Sequence, residues 1–215
     1  MSYSPDLAAA LSGASMGQLA YWRTGRTAEP LLVPENYRPH SPVHYSFEDV
    51  IALRTFVYLR GRDIPLQRVR KAVRNLRRLG AVDHLSAYRL VPAGRDVIWV
   101  ESEDQAHDLT GMDQSHPVLA TMIDVLSTFV TSADRTVVDL RRPNHGIEVD
   151  RAVRGGYPVI EGTRVPYDAV ASLIEDGVDL KDIGDFYPVV TPRSAEGAVE
   201  FAIYVSTYRN PSNAA

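Results

Sequence analysis

Apolar and polar positions repeat with a helical period over most of the first eighty residues, and residues that start or stop a helix bracket each repeat. In "SPDLAAALSG", Ser4 precedes Pro5, Leu7 and Leu11 lie four apart and Gly13 follows, which predicts a short capped helix closed by a tight turn. The next segment, "SGASMGQLAYWRTGR", places Ser15 and Gln18 at capping-box spacing with Gly25 as a stop. Winding it at 3.6 residues per turn puts Met16, Leu19 and Trp22 on one stripe and Gly17, Gln18, Tyr21 and Thr24 on the other. Ser46 caps a longer helix whose broad apolar face is Phe47, Val50, Ile51, Leu53, Phe56, Val57 and Leu59, ending near Gly61. After Pro65, "PLQRVRKAVRNLRRLG" sets Leu66, Val69, Val73 and Leu76 on one side and Arg68, Arg70, Lys71, Arg74, Arg77 and Arg78 on the other. The first two helices, joined by a glycine turn, have the outline of a DNA-reading helix-turn-helix and equally of an ordinary helical hairpin.

The remaining pattern alternates short extended runs with turns. "PLLVPENYRPHSPVHYS" predicts two short strands joined by a rigid loop, a wing. "YRLVPAGRDVIWVE" predicts a hairpin turning at Pro92, Ala93 and Gly94, and the aperiodic, acidic "ESEDQAHDLTGMDQSH" reads as a linker. A helix is expected from Pro117 to about Phe129, then two strands flanking Pro143 to Gly146. "YPVI" is a further hairpin strand turned at Glu161 and Gly162. Three small helices follow: one opened by Pro166 and stopped at Gly177, one capped by Asp179, and one opened by Thr191 and Pro192 with Ala195, Ala198, Val199, Ala202 and Ile203 as its apolar stripe. The expected fold is mainly α with small β-hairpins: an N-terminal winged helix-turn-helix and a C-terminal small helical domain behind a β-hairpin.

Charge changes the picture more than composition does. The net charge is -4, but residues 1–80 hold 12 Arg/Lys against 6 Asp/Glu, whereas residues 81–215 hold 11 against 21. A basic first third suits phosphate, and an acidic remainder suits assembly or a protein partner. The chain has no cysteine, which removes disulfides, thiol catalysis and thiolate metal sites. No terminal run is apolar for long enough to act as a signal peptide or membrane span, so a cytoplasmic protein is expected. His107, Asp108 and His116 lack metal-ligand spacing, and Gly156 and Gly162 are one residue too far apart for a P-loop, with no Lys-Ser/Thr after them. The carboxylates of the second half show neither paired spacing nor an accompanying nucleophile, so no metal, no cofactor and no enzymatic activity are expected.

Two family resemblances meet in the chain. Residues 12–80, with Leu-x-Tyr-Trp at Leu19 to Trp22, Tyr-Ser-x-Glu-Asp at Tyr45 to Asp49, and the passage from Leu59 to Leu66, resemble the winged helix-turn-helix of MerR-type regulators. Residues 144 to about 207 are similar to a small antitoxin-like domain marked by Gly-x-Pro-x-Ile-x-Gly-Thr-Arg-Ile/Val-Pro, here Gly156, Pro158, Ile160, Gly162, Thr163, Arg164, Val165 and Pro166. Together they resemble VapB-type antitoxins of type II toxin-antitoxin modules, encoded beside a PIN-like ribonuclease. The resemblance implies a DNA-binding domain over residues 1–80, a hairpin, acidic linker and connecting helix over 81–143, a toxin-binding domain over 144–209 and a tail over 210–215. It implies a homodimer on operator DNA and inhibition of the toxin. Where MerR-type recognition helices carry arginines, this chain has Gly17 and Ala20, so contacts shift to Ser15, Gln18, Tyr21, Arg23 and Arg26 and to Arg38, His40 and His44 of the wing. Gln18 suits an adenine edge and the others suit phosphate. Arg23 winds toward the packed stripe, which leaves an internal partner as its alternative. On the toxin side, Arg209 is expected to insert as a cation and Arg164 to fix the hairpin. The alternative is a stand-alone MerR-like regulator that answers to a small organic ligand.

Overall fold

The computed structural model describes residues 2–25, 29–78, 85–87, 89–93, 96–102, 105–108 and 122–209, and it is mainly helical with small antiparallel β-hairpins. Helix α1 (Pro5–Ser12) begins where the Ser4 hydroxyl accepts from the Leu7 N–H, and it ends at Gly13, whose φ of 79° places it in the left-handed region. Every residue from Asp6 to Ser12 is buried, because α1 lies between α3 (Phe47–Gly61) and α8 (Pro192–Arg209). Helix α2 (Met16–Thr24) starts with the Ser15/Gln18 capping box and is held to α3 by Trp22, whose ring meets Phe56 edge-on at 5.9 Å. A second capping box, Ser46 with Asp49, opens α3; α4 (Leu66–Arg78) follows and buries Val69, Ala72, Val73 and Leu76.

Strands β1 (Arg89–Ala93), β2 (Asp96–Ser102) and β3 (Gln105–Asp108) form an antiparallel meander with Leu90 opposite Trp99 and Trp99 opposite His107. Helix α5 (Met122–Leu126) leads into β4 (Phe129–Val130), which pairs with β5 (Thr136–Val137). Strand β6 (Ile147–Glu148) pairs with β7 (Val159–Ile160); α6 (Tyr167–Glu175), α7 (Ile183–Phe186) and α8 close the chain. One cluster of buried residues runs from Tyr3, Leu7 and Phe56 to Ile160, Val170 and Phe201. The Tyr3 phenol donates to the Gly156 carbonyl, and the Tyr204 phenol to the Ala10 carbonyl at 3.1 Å. The segments 1–80 and 144–209 therefore share a core.

Several local expectations are corrected. Residues 29–45 form turns instead of the two wing strands, apart from a single bridge between Tyr45 and Tyr3. Pro30, Pro34, Pro39 and Pro42 each lack an N–H, which starves any ladder there. Residues 105–108, expected as linker, are a strand. The helix expected up to Phe129 ends at Leu126, because the Arg54 guanidinium takes the carbonyls of Val125, Leu126 and Ser127; residues 117–121 lie outside the described set. The strands flanking Pro143 to Gly146 exist but do not pair with each other. In α8 the buried stripe is Ala195, Ala198, Phe201, Val205 and Tyr208, and Ile203 is 60% exposed, since α1 and α6 together set the covered face.

Candidate functional site

The three-residue connection Gly13 to Ser15 turns the chain from buried α1 to half-exposed α2, and it leaves Gly17, Gln18, Ala20 and Thr24 open to solvent while Leu19 and Trp22 anchor the helix. Ser15 Oγ accepts from the Gln18 N–H at 3.1 Å and Gln18 Oε1 accepts from the Ser15 N–H at 2.8 Å. Ser15 and Gln18, both expected to contact DNA, thus also hold the helix start. Tyr21 lies on the open stripe, half-buried beneath the Arg70 guanidinium, 5.2 Å from its ring centroid. Arg23 turns inward: it stands 5.8 Å over the Tyr37 ring and against the Tyr45 phenol, which burial pushes up and Arg23 draws back. The internal alternative therefore describes its position. Arg38, His40 and His44 are exposed on the 29–45 segment, with His40 at φ 65°, while Arg26 lies outside the described residues. A cleft of about 390 Å³ opens beside the start of α2, between Ser15, Met16 and Gln18 on one wall and Thr131, Ser132 and Arg135 on the other.

At the other end, the Gly-Thr-Arg passage builds a turn. Gly162 takes φ 73° and donates to Glu148 Oε1 at 3.1 Å. The Thr163 hydroxyl donates to the Ile160 carbonyl at 2.8 Å and accepts from the Val165 N–H at 3.0 Å. Only Gly supplies that φ without strain and only a short hydroxyl closes the loop twice, which explains both residue types. Arg164 then emerges exposed, with its carbonyl accepting from Arg154 at 3.4 Å. Arg209 is the last residue of α8, and it grips Asp6 Oδ2 through Nη2 at 2.7 Å and Nε at 3.1 Å. Burial of Asp6 opposes its ionisation, but hydrogen bonds from Ser4 and Arg209 outweigh burial and hold the carboxyl below its usual range. Residues 210–215 are outside the described set.

Beyond the expected residues, the structure forms a larger cleft of about 680 Å³ between the 142–146 turn and the start of α8, lined by Arg142, His145, Ile160, Val189 and Arg193 among others. Arg142 pairs with Glu161 at 2.8 Å and His145 with Glu200 at 3.4 Å. Val189 on its rim is 64% exposed and Phe186 nearby in sequence is 54% exposed. The signal for this cleft was the "FYPVVTP" run of apolar residues broken by prolines, which fits no helix stripe. Among the described residues, no group of three or more His, Asp or Glu side chains is placed to hold a metal ion, and no helix is long and apolar enough to cross a membrane.

Two joined helices with one open face, a basic helix beside them and a turn-built C-terminal unit make up a mainly helical architecture. Residues 147–202 match the model of a family described as a protein of unknown function, DUF433. A solved structure described as the X-ray crystal structure of Rv2018 from Mycobacterium tuberculosis is similar over 92% of this chain and 96% of that chain, with 16% identity and a TM-score of 0.53, a likeness of fold. No curated protein matches the sequence.

Proposed function

We propose that the protein is a cytoplasmic antitoxin that binds and inhibits a cognate PIN-like ribonuclease and represses its own operon as a DNA-bound homodimer. The observation that carries the reading is the open stripe of α2, presented by a helix whose other side is locked by Leu19 and Trp22 and which follows an α1 buried from Asp6 to Ser12. That is the geometry of a helix free to enter a major groove while its neighbour fixes it to the domain. The charge division between residues 1–80 and 81–215 supports separate partners for the two ends. On the toxin side, exposed Val189 and Phe186 and the cleft edged by Arg193 suit a protein surface with carboxylates, the chemistry a metal-dependent ribonuclease presents. Of the two candidate cations, Arg164 has no carboxylate partner among the described residues, whereas insertion of Arg209 must first release Asp6. The test is a nuclease assay of the ribonuclease encoded beside the gene, with the full chain and with Arg164→Ala and Arg209→Ala, together with co-purification of the pair. Failure of the two proteins to co-purify would end the antitoxin reading.

The cleft between Gln18 and Arg135 favours a second reading, a regulator whose α2 is gated by a small organic ligand. Operator binding that changes with such a compound, in the absence of any toxin, would decide for it.

A further inference from the structure

Helix α4 contains no acidic residue, and none occurs from Ile64 to Val82. Its Arg70, Arg74, Arg77 and Arg78 recur at i, i+4, i+7 and i+8, opposite the buried Val69, Ala72, Val73 and Leu76, so four like charges share one side. Repulsion along such a stripe works against the helix that bears it. Among the described residues the compensation is small: Glu29 stands 3.8 Å from Arg74 Nε with both side chains largely exposed, and the Glu29 carbonyl accepts from Arg70. Among the described residues, neither Arg77 nor Arg78 has a carboxylate partner. A solvated face normally mixes signs, and this one does not. Arg70, the first member, lies over Tyr21 on the open stripe of α2, so the cationic side of α4 continues that stripe directly. Beyond it, Glu29, Arg74, Arg77 and Arg78 border a shallow cleft of about 510 Å³.

We propose that this arginine stripe of α4 is a docking surface for the phosphate backbone of double-stranded DNA, alongside the groove that α2 faces. The inference rests on the DNA-binding half of the reading above and locates its electrostatic part on residues outside the helix-turn-helix and wing. From Arg70 to Arg78 the helix rises about 12 Å, comparable to the axial span of roughly three phosphates on one strand. Charge complementarity selects the occupant, and contact with Tyr21 selects a duplex whose groove lies at α2.

The experiment measures binding of the full chain to a mixed-sequence duplex of about 30 base pairs by fluorescence anisotropy over roughly 50–300 mM salt. The variant is Arg74→Gln/Arg77→Gln/Arg78→Gln, which keeps good helix formers in place. Loss of three contacts lowers the slope of log K against log salt by about 2.7 and weakens binding on the order of 100-fold at 0.1 M salt. Thermal unfolding of the variant serves as the fold control, with an unchanged or raised midpoint expected because repulsion is relieved. A parent that binds and a folded variant with the parent's slope would overturn the docking surface while leaving DNA binding intact, and would turn the stripe toward an acidic protein. A parent that fails to bind duplex at low salt would overturn the reading beneath it.

Discussion

Arg54 is fully buried in α3, and replacing it with Met tests whether one guanidinium ties the helical elements together. It donates to the carbonyls of Leu11 at the end of α1, of Val125, Leu126 and Ser127 around the end of α5, and of Val138 after β5. Its positive charge thus caps the negative ends of two helices, and it also lies 5.0 Å over the Phe129 ring. The Leu126 carbonyl accepts from the Leu140 N–H as well, so at most four acceptors are orphaned by the substitution. At about 2 kcal/mol each, that is about 8 kcal/mol lost. Burial, opposed by the Asp139 charge, pulls the Arg54 guanidinium below its ordinary value to about 10, and removing a charge held at that net cost returns about 3 kcal/mol. The expected net loss is about 5 kcal/mol, comparable to the whole stability of many domains. Arg54→Lys keeps a charge but offers three donors from one point, too few and too close together for five carbonyls, so about half that loss is expected. Urea unfolding followed by far-UV circular dichroism reads both variants. A loss below about 1 kcal/mol for Arg54→Met, or parental stability for Arg54→Lys, would refute the reasoning.

Gly197→Ala should destabilise the protein although alanine is normally the better helix residue by about 1 kcal/mol, because the added Cβ would stand 2.1 Å from the His145 carbonyl; a raised midpoint in thermal unfolding would contradict the close approach. The Asp6 carboxyl, held below its usual 3.8, contributes stability that is complete above that value and lost as pH falls through the lower folded value; with Arg209 71% exposed, the contribution is about 0.5–1 kcal/mol. Asp6→Asn should therefore lower the urea midpoint at neutral pH and flatten its acid limb, and an unchanged acid limb counts against the clasp. Gln18→Ala should relax preference at one base pair, with ~1–3 kcal/mol of discrimination lost, without changing the salt slope; binding-site selection that returns the parental motif would remove Gln18 from the reading role.

Local signals were legible where one residue's chemistry decides the outcome. Ser4, Ser15 and Ser46 cap helices in the structure, and Gly13 and Gly25 close two of them with left-handed φ. What failed depended on partners far along the chain. A two-residue strand carries almost no period, so nothing in Thr136–Val137 announces Phe129–Val130 instead of Ile147–Glu148 as its partner. The stripe of α8 was misplaced because α1 covers it from nearly two hundred residues away, which favours Phe201 and Tyr208 over Ile203. Arg54 was missed for a different reason, since its signal lay in the sequence and went unread. It stands four residues after Val50 and three before Val57, in the middle of the buried stripe, so the helical period itself places a charge in the core. Winding alone placed Gly17, Gln18 and Thr24 on the open side of α2 and Leu19 and Trp22 on the packed side, but Met16, wound onto the packed stripe, is exposed; the inward turn of Arg23 needed Tyr37 and Tyr45, and the junction of Arg70 with Tyr21 needed the tertiary fold.

The shared core bears on how DNA binding can be dissected. Resemblance suggests that residues 1–80 are a separable module, yet α1 is buried on all sides and one of its covers is α8. Cutting after residue 80 removes the Arg209 grip on Asp6, the Tyr204 bond to Ala10, the Gly156 acceptor of Tyr3 and the Val125 to Ser127 carbonyls that Arg54 satisfies. The fragment keeps its caps, but isolated helices of eight and nine residues are marginal in water and depend on burial for their stability. A fragment of residues 1–80 is therefore expected to lack a cooperative thermal transition and to bind a duplex far more weakly than the full chain, even though it carries the basic charge. Circular dichroism melting and anisotropy on the same sample separate the two causes. If the fragment melted cooperatively and still bound weakly, a lost second half-site would be responsible; if it melted cooperatively and bound as the full chain does, the core would be divisible and the C-terminal cover of α1 dispensable.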